Sequence, residues 1–341
     1  MKYLFFLIVF AMAALQSNAK IWRINNTAGV TADFTSCQAA LSSASVVNDD
    51  TLQIEGSATT YSGFTLNKRL VIIGTGYFIS GTDANAGLQA NPNTSHFVGD
   101  VIVFDSTSSG STMIGLDNIY FGVGPNLGSA TDNITITRCN ISNITQYYGY
   151  TANTKMAGWK VNKCYISAMY LSPLVIENWE VTNNIITAAL DINNTGNLNN
   201  LIRNNVLRST ISLYSAYFAN NIITGTTLTT VNVTVKNNIS TGTNLPAGNG
   251  NINSSSDAAL FQGLAGNSTD GQWRLKTGSP AIGAGETISA ITPDCGAFGT
   301  ADPYKLGGIP AIPTIYSLTV PASVASNATT MPITISTKSN N

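Results

Sequence analysis

The stretch Val181-Thr-Asn-Asn-Ile-Ile186 decides the fold of this chain, because close variants of it recur along the middle of the sequence. Each copy places a central Asn or Cys three positions after an Ile, Val or Phe, and the central residues are 25, 20, 21, 16 and 17 positions apart. Repeats of about 20 residues that are rich in β-branched residues are typical of a solenoid with one coil per repeat. The six copies are Ile136-x-x-Cys139-x-Ile141, Val161-x-x-Cys164-x-Ile166, Val181-x-x-Asn184-x-Ile186, Ile202-x-x-Asn205-x-Leu207, Phe218-x-x-Asn221-x-Ile223 and Val235-x-x-Asn238-x-Ser240.

The repeat unit is too short for two helices and lacks the regular leucines of a leucine-rich repeat. Short strands separated by Asn, Gly, Ser and Thr predict a parallel β-helix instead, in which coils stack about 4.8 Å apart and equivalent side chains form columns. The central residues are expected to form one buried asparagine ladder, because an Asn amide at a bend can bond both the backbone and the next coil. The members of this ladder are Cys139, Cys164, Asn184, Asn205, Asn221 and Asn238.

Both ends of the repeat region resemble a known superfamily. The motif D-D-T-L-Q-I-E-G-S at 49–57, followed by L-N-K-R-L-V-I-I-G at 66–74, is similar to the first coils of secreted bacterial proteins of the right-handed parallel β-helix, or pectin-lyase-like, superfamily. The motifs S-P-A-I at 279–282 and D-C-G-A-F at 294–298 resemble its closing coils, although Cys295 stands where an aliphatic residue is usual. The resemblance implies an all-β, right-handed parallel β-helix and no particular activity.

The N-terminal residues 1–19 are predicted to be a secretory signal peptide. Lys2 supplies a positive charge, Leu4–Leu15 supplies the apolar run, and Ser17-Asn18-Ala19 supplies a small-x-small cleavage site. An uncleaved membrane anchor is disfavoured because the apolar run is too short to span a bilayer comfortably, and the rest of the sequence contains no candidate transmembrane span. We therefore expect a protein that is secreted, extracellular or held at the cell surface.

The remaining chain is divided into three predicted segments. Residues 20–48 form an N-terminal cap with a short helix, residues 49–299 form the β-helix, and residues 300–341 form a Pro/Gly linker and a two-strand β tail. Two isolated strands cannot bury an apolar face, so the tail is expected to dock on the solenoid, either at its C-terminal end or along an apolar stripe. This stripe occupies the positions just after the ladder, provided that the register is not off by one; it reads Asn140, Tyr165, Ile185, Val206, Ile222 and Ile239.

Composition narrows the classes of function. Lys and Arg (16) nearly balance Asp and Glu (17), and only 10% of residues are charged, so the chain has no electrostatic footprint for nucleic acid. Four cysteines are too few to define the fold by disulfides; Cys139 and Cys164 lie one coil apart and are within reach of a disulfide, but free packing in the core is favoured. None of the cysteines has the spacing of a metal site.

Catalytic patterns are weak. A pectate-lyase-like site requires several carboxylates around Ca²⁺ and a basic residue that removes a proton, but no two of Asp132, Glu180 and Asp191 fall in one column. A polygalacturonase-like site requires paired Asp residues and Gly-His-Gly, whereas the sole histidine, His96, lies in a loop between Ser and Phe and is interpreted as a surface residue. If the protein is nevertheless a lyase, it should need Ca²⁺, and the candidate bases are Arg138, Lys160 and Lys163. Otherwise no cofactor is expected.

Binding patterns are more favourable. Aromatic side chains gather in neighbouring coils, where exposed rings would stack on sugars, although they would equally serve to extend the core. The column just before the ladder begins with Arg138 and Lys163 and continues with asparagines, which suits either a polar ladder for polysaccharide or a plain solvated face. The candidate ligand-binding aromatics are Tyr147, Tyr148, Tyr150, Trp159 and Tyr170.

Together these patterns predict an exported, monomeric, non-catalytic β-helix protein that contacts polysaccharide or a partner protein. The alternative is a polysaccharide lyase or glycoside hydrolase that acts on acidic polysaccharide.

Overall fold

The computed structural model describes residues 19–82, 84–98, 101–123, 131–146, 155–172, 175–192, 199–225 and 227–340. It is an all-β parallel solenoid, which confirms the fold class that the repeats predict. The strands are β1 (Ile21–Ile24), β2 (Thr51–Ile54), β3 (Thr65–Leu66), β4 (Val71–Ile73), β5 (Val101–Phe104), β6 (Thr112–Ile114), β7 (Ile119–Val123), β8 (Thr135–Thr137), β9 (Asn140–Gln146), β10 (Lys155–Ala157), β11 (Lys160–Asn162), β12 (Tyr165–Tyr170), β13 (Val175–Glu177), β14 (Glu180–Thr182), β15 (Ile185–Ile192), β16 (Asn200–Arg203), β17 (Val206–Leu207), β18 (Thr210–Tyr214), β19 (Ala216–Ala219), β20 (Ile222–Ile223), β21 (Leu228–Val231), β22 (Thr234–Lys236), β23 (Ile239–Ser240), β24 (Thr314–Thr319) and β25 (Thr334–Lys338).

Two long parallel sheets form the walls of the solenoid. The first sheet has 10 strands in the order β1-β2-β4-β6-β8-β11-β14-β16-β19-β22, and the second has 11 strands, whose main path runs from β23 back to β3. Strands β10 and β13 form a small third sheet. The first sheet begins at Ile21, because β1 pairs in parallel with β2, so the stack includes a strand from the segment 20–48 that the sequence assigns to the N-terminal cap.

The structure also contains five short helices among the described residues. The α-helix Cys37–Ser42 falls within the predicted N-terminal helix; its N-cap is Ser36, whose side chain accepts a hydrogen bond from the Ala39 N–H. A second α-helix spans Asp257–Leu260, and 3-10 helices span Ser106–Ser108, Gly271–Trp273 and Leu306–Gly308. No helix within the described ranges is long and apolar enough to cross a membrane.

Side chains of the repeat fill the interior because strand residues alternate between the two faces of a sheet. The first residue of each repeat forms one in-register column along the first sheet, and all six members are buried. Its members are Ile136, Val161, Val181, Ile202, Phe218 and Val235. Beside this column the Trp159 and Trp179 rings stack with centroids 4.8 Å apart and planes 3° apart, so the tryptophans belong to the core.

The central residues of the repeat lie at the bend between the two sheets. Asn205 is fully buried; its Nδ2 donates to the Val181 carbonyl (2.8 Å) and to Asn221 Oδ1 (3.0 Å), and its Oδ1 accepts from the Asn184 backbone N–H (2.9 Å). Asn184, Asn221 and Asn238 are likewise buried, and each bonds to its successor. Each side-chain amide thus forms hydrogen bonds with backbone groups that, because of the bend, have no hydrogen-bond partner in a neighbouring strand.

Cys139 and Cys164 lie at the equivalent positions in the two preceding coils. Both thiols are buried and free, and all four cysteines of the chain are unpaired, as the sequence favours. The Cys139 N–H donates to the Cys164 sulfur at 3.4 Å. Burial raises the pKa of the Cys164 thiol well above its usual value, so these thiols behave as small apolar groups.

The residue before each central residue has a left-handed backbone, with φ between 53° and 56°. Asn adopts this conformation more readily than most residues, which explains the recurring Asn-Asn pair: the first makes the turn and the second fills the interior. The left-handed column consists of Arg138, Lys163, Asn183, Asn204, Asn220 and Asn237.

The residue after each central residue belongs to the apolar stripe, and strand pairing places the stripe in one column as expected. Its apolar members Ile185, Val206, Ile222 and Ile239 are buried in a second cluster, together with Leu260, Phe261, Trp273 and Cys295. We call residues 257–309 the strap, because they cover this stripe. Gly296 has φ +90°, and a Cβ there would lie 2.7 Å from Ile222 Cδ1, so the strap approaches the stripe too closely for a side chain.

The strap bonds to the left-handed column in reverse chain order. Asn237 Nδ2 donates to the Ala284 carbonyl, Asn204 Nδ2 to the Asp294 carbonyl and Asn183 Nδ2 to the Ala297 carbonyl, each at 3.1 Å. Further along the strap, an Arg138 guanidinium nitrogen donates to the Ile309 carbonyl at 2.8 Å. The strap therefore runs back along the solenoid and carries the C-terminus toward the first coils.

The tail is an antiparallel pair of β24 and β25, which agrees with the predicted two-strand tail. Its predicted docking is wrong: the strap already occupies the stripe and carries the tail away from the last coils. The pair lies beside the loop of the first coils, where the Ala90 N–H donates to the Ile315 carbonyl at 2.8 Å and Lys338 Nζ donates to the Gly87 carbonyl at 3.0 Å. Ile315, Leu318 and Ile335 remain 45%, 51% and 56% exposed.

Candidate functional site

The strap leaves the N-terminal end of the stripe column open, and there the side chains are polar. The column continues backward from Asn140 to Asp117 and His96, through the Asn140 N–H bond to the Leu116 carbonyl and a parallel bridge between Asp117 and His96. A pocket of about 440 Å³ opens over these residues, and none of its lining residues comes from the strap. We call it the His96 pocket; it is lined by Phe78, Ile79, Ser80, Thr94, His96, Asp117, Asn118 and Asn140.

Asp117 is the fixed centre of this pocket. Only 8% of the residue is exposed. Its Oδ2 accepts hydrogen bonds from Thr94 Oγ1 (2.6 Å) and His96 Nδ1 (2.9 Å), and its Oδ1 accepts from Asn140 Nδ2 (2.8 Å). Three hydrogen-bond donors hold this buried carboxylate in one orientation, in which it can accept hydrogen bonds from a ligand.

The neighbours of His96 define its tautomer. Asn118 Nδ2 lies 3.4 Å from His96 Nε2, and an amide NH₂ only donates. Nε2 is therefore the acceptor, and Nδ1 carries the proton that is donated to Asp117. The His96 side chain is 37% exposed, so a partly accessible imidazole is held by a carboxylate on one side and by an amide on the other. A ligand that replaces Asn118 at Nε2 would find a hydrogen-bond acceptor there, and this nitrogen could also serve as a general base.

Phe78 supplies the apolar wall of the pocket. Its backbone is left-handed, with φ +48°, which is unusual for an aromatic residue. Its ring packs edge-on against Tyr77 and Tyr165, with centroids 5.1 and 5.0 Å away. Tyr165 belongs to the stripe, so the stripe buttresses the Phe78 ring directly. An aromatic ring beside fixed amide, imidazole and carboxylate groups is a common arrangement for a small polar ligand with an apolar face.

The three predicted base candidates are not brought together in a groove. Arg138 is 8% exposed, it is bonded to the strap, and burial lowers the pKa of its guanidinium. Lys163 is hydrogen-bonded to Asp302 of the strap, which lowers the pKa of that carboxyl. Lys160 lies on the outer face of the first sheet, 3.2 Å from Glu180. Arg138 and Lys163 thus fasten the strap. The column before the ladder was expected to be either a polar ladder for polysaccharide or a solvated face; instead, its members bond to the strap.

A second group of charges also fastens the strap. Glu286 accepts hydrogen bonds from Tyr217 Oη and Lys236 Nζ, each at 2.7 Å, and lies 3.5 Å from Arg203. A pocket of about 500 Å³ beside it is lined by both Glu286 and Asp302 and by the basic residues Arg203 and Lys163. Each carboxylate is already paired, so this cluster locks the strap to the first sheet.

The predicted ligand-binding aromatics have different fates. Tyr147, Tyr148 and Tyr150 lie outside the described residues. Trp159 is fully buried, and its indole N–H donates to the Thr131 carbonyl at 2.6 Å; its assignment to a ligand surface is therefore corrected, because it packs in the core. Tyr170 is 43% exposed at the end of β12.

The sequence interpretation missed the His96 pocket. His96 was expected to be a plain surface residue, and it instead pairs with Asp117. The stripe column, if extended one coil before Asn140, reaches Leu116-Asp117-Asn118 and would have placed Asp117 beside Asn140. Nothing in the sequence places His96 there, because it returns to the column from a 21-residue loop without regular strands, residues 74–94.

Comparisons with known proteins do not identify a family for this chain. No protein-family model, curated protein or solved structure matches the chain significantly. Within the described ranges, no group of three or more His, Cys, Asp or Glu side chains is arranged to hold a metal ion.

Proposed function

We propose that this chain is an exported, monomeric, non-catalytic β-helix protein of the right-handed, pectin-lyase-like kind, and that it binds polysaccharide in the His96 pocket. Export follows from the signal-like segment 1–19, and a location outside the cell or at its surface would give access to polysaccharide. The observation that carries the proposal is the change along one column: its members are apolar where the strap covers them and become Asn140, Asp117 and His96 where the column is open.

The chemistry of the pocket favours a sugar over a protein partner. A pocket of about 440 Å³ is within the range of small-molecule sites and much smaller than a stable protein interface. Hydroxyl groups need both donors and acceptors at fixed angles. Asp117 supplies acceptors, His96 Nε2 becomes an acceptor when the ligand replaces Asn118 there, and Ser80 and the Asn140 amide carry donors. The Phe78 ring provides a face for the apolar side of a sugar ring.

The test is a glycan-array screen of the intact protein, followed by calorimetry with the best oligosaccharide. His96→Ala removes a ligand contact and Phe78→Ala removes the apolar wall, so each should weaken binding at least about tenfold, which corresponds to one lost hydrogen bond or ring contact. Asn67→Ala is the matched control, because Asn67 is exposed and lies outside the pocket. Binding that both pocket variants retain in full, or no binding to any glycan, would refute the proposal.

The alternative, a polysaccharide lyase or glycoside hydrolase acting on acidic polysaccharide, is favoured by one observation. His96 Nδ1 donates to Asp117, so a substrate that replaces Asn118 at Nε2 would meet a nitrogen oriented to act as a base. Turnover of acidic polysaccharide that disappears in His96→Gln would replace the binding proposal with this one. We expect no turnover from the wild-type protein, with or without Ca²⁺.

A further inference from the structure

A second pocket contains two cations, Arg208 and Lys276, that form no ion pair with a carboxylate among the described residues. It has a volume of about 860 Å³ and lies between the strap and the coil that follows Val206. We call it the Arg208 pocket; the lining residues used below are Arg208, Asp257, Gln262, Gln272, Trp273 and Lys276.

Among the described residues, Arg208 lacks the carboxylate partner that three other arginines of the solenoid have, and it lacks the backbone carbonyl partner that Arg138 has in Ile309. Arg23, Arg69 and Arg203 each form an ion pair with a carboxylate, at 2.6, 2.6 and 3.5 Å. Arg208 forms none with the residues that the structure describes. Its guanidinium instead lies 4.5 Å from the centroid of the Trp273 ring. The ring holds the cation by a cation–π contact and leaves its N–H groups in the plane of the fork available.

Other polar groups of the pocket add to this. Lys276 Nζ donates to the Ala258 carbonyl, which uses one of its three protons. Gln262 and Gln272 donate their amide N–H groups to backbone carbonyls at 3.2 and 2.7 Å, so their side-chain oxygens remain as acceptors. The Trp273 indole N–H is buried and has no hydrogen-bond partner among the described residues.

We infer that the Arg208 pocket binds the anionic group of an acidic saccharide, a carboxylate or a sulfate ester. Two cations and one carboxylate, Asp257, line the pocket, which leaves one net positive charge in a chain whose net charge is −1. The planar guanidinium fork matches two oxygens of either anion. The glutamine oxygens would accept hydrogen bonds from the sugar hydroxyls. This inference rests on the polysaccharide-binding function proposed above and names the class of polysaccharide.

The experiment is calorimetry of the intact protein with three oligosaccharides: oligogalacturonate, sulfated dextran oligomer and neutral dextran oligomer. We expect the acidic oligosaccharides to bind at least about tenfold more tightly than the neutral one, since the neutral one lacks the charge-assisted hydrogen bonds to the guanidinium. The preferred acid identifies carboxylate or sulfate as the anion. The affinity should fall as salt is raised.

The variants separate this site from the His96 pocket. Arg208→Gln should remove the preference for acidic oligosaccharides, and Arg208→Lys, which keeps the charge but loses the fork, should retain only part of it. Arg69→Gln is the matched control, because Arg69 is exposed and paired with Asp49 on another part of the surface. A far-ultraviolet circular dichroism spectrum and an unfolding midpoint unchanged from those of the wild type verify that the variants keep the fold.

Two results would overturn the inference: equal affinity for acidic and neutral oligosaccharides, or a preference for acidic ones that survives Arg208→Gln. Either result leaves the proposed function standing if His96→Ala still weakens binding of the array ligand at least about tenfold. Failure of the proposed function is a different result, in which the wild-type protein binds no saccharide at all.

Discussion

Replacing Asn205 by leucine should destabilise the solenoid by about 1–3 kcal/mol, and the structure supplies the terms of this estimate. The substitution removes two bonds to buried backbone groups, namely Asn205 Nδ2 to the Val181 carbonyl (2.8 Å) and the Asn184 N–H to Asn205 Oδ1 (2.9 Å). Each buried group left unpaired costs about 1–3 kcal/mol. Burial of the leucine side chain returns about 1.5–3 kcal/mol, so the loss exceeds the gain by a modest amount.

The assay is urea unfolding followed by circular dichroism, with Asn67→Leu as the control. Asn67 is exposed, and its side chain makes no hydrogen bond within the described residues, so its replacement should change stability by no more than about 0.5 kcal/mol. The dependence of unfolding free energy on urea should stay the same in both variants, because the surface exposed on unfolding is unchanged. Equal stability of the two variants would refute the view that the central amides are needed to satisfy the bend.

Two further predictions concern the strap. Ending the chain after Pro313 removes the exposed strand pair and should leave the unfolding midpoint nearly unchanged. Ending it after Thr300 also removes Tyr304, whose buried hydroxyl bonds Tyr77 and Asp270, so this truncation should lower the midpoint and promote aggregation. Equal midpoints for the two truncated proteins would contradict the assigned division between strap and tail. The second prediction concerns pH: burial alone would raise the pKa of Glu286, but hydrogen bonds from Lys236 and Tyr217 outweigh it and lower the pKa. The pKa of Glu286 in the folded state lies below its unfolded value of about 4.3, so the stabilisation is complete above that pH and is lost as the pH falls through the folded-state pKa. Glu286→Gln should therefore lose less thermal stability than the wild type between about pH 5 and pH 3. The surface control Glu180→Gln should follow the wild type.

The strap explains why the polar residues of the bend did not indicate a ligand surface. Asn183, Asn204 and Asn237 are the repeating polar residues that a polysaccharide groove would need, yet all three donate to strap carbonyls. Polar side chains at regular spacing are equally suited to bind an extended polysaccharide and an extended piece of the same chain, since each offers repeated acceptors. The two proposed pockets lie where the strap leaves polar groups available to a ligand.

Some features were determined by the sequence alone because they depend on short-range periodicity. The V-x-x-N-x-I repeat defines which residues of a coil point inward and which turn the bend, so the solenoid, its apolar columns and the buried positions of Asn184 and Asn205 all follow from spacing. The stripe from Ile185 to Ile239 also follows, because an apolar residue just after an inward one must find a separate cover.

Only the tertiary structure decided what covers the stripe and which polar groups meet. The strap is joined to the last coils, and its path back toward the first coils depends on many weak contacts far apart in the chain, which no local pattern encodes. Because of that path, Arg138 and Lys163 bond to the strap and the tail lies beside Ala90. The polar end of the stripe column remains uncovered for the same reason. The contact between His96 and Asp117 depends likewise on the return of a long loop, whose course is set by packing and not by repeat spacing.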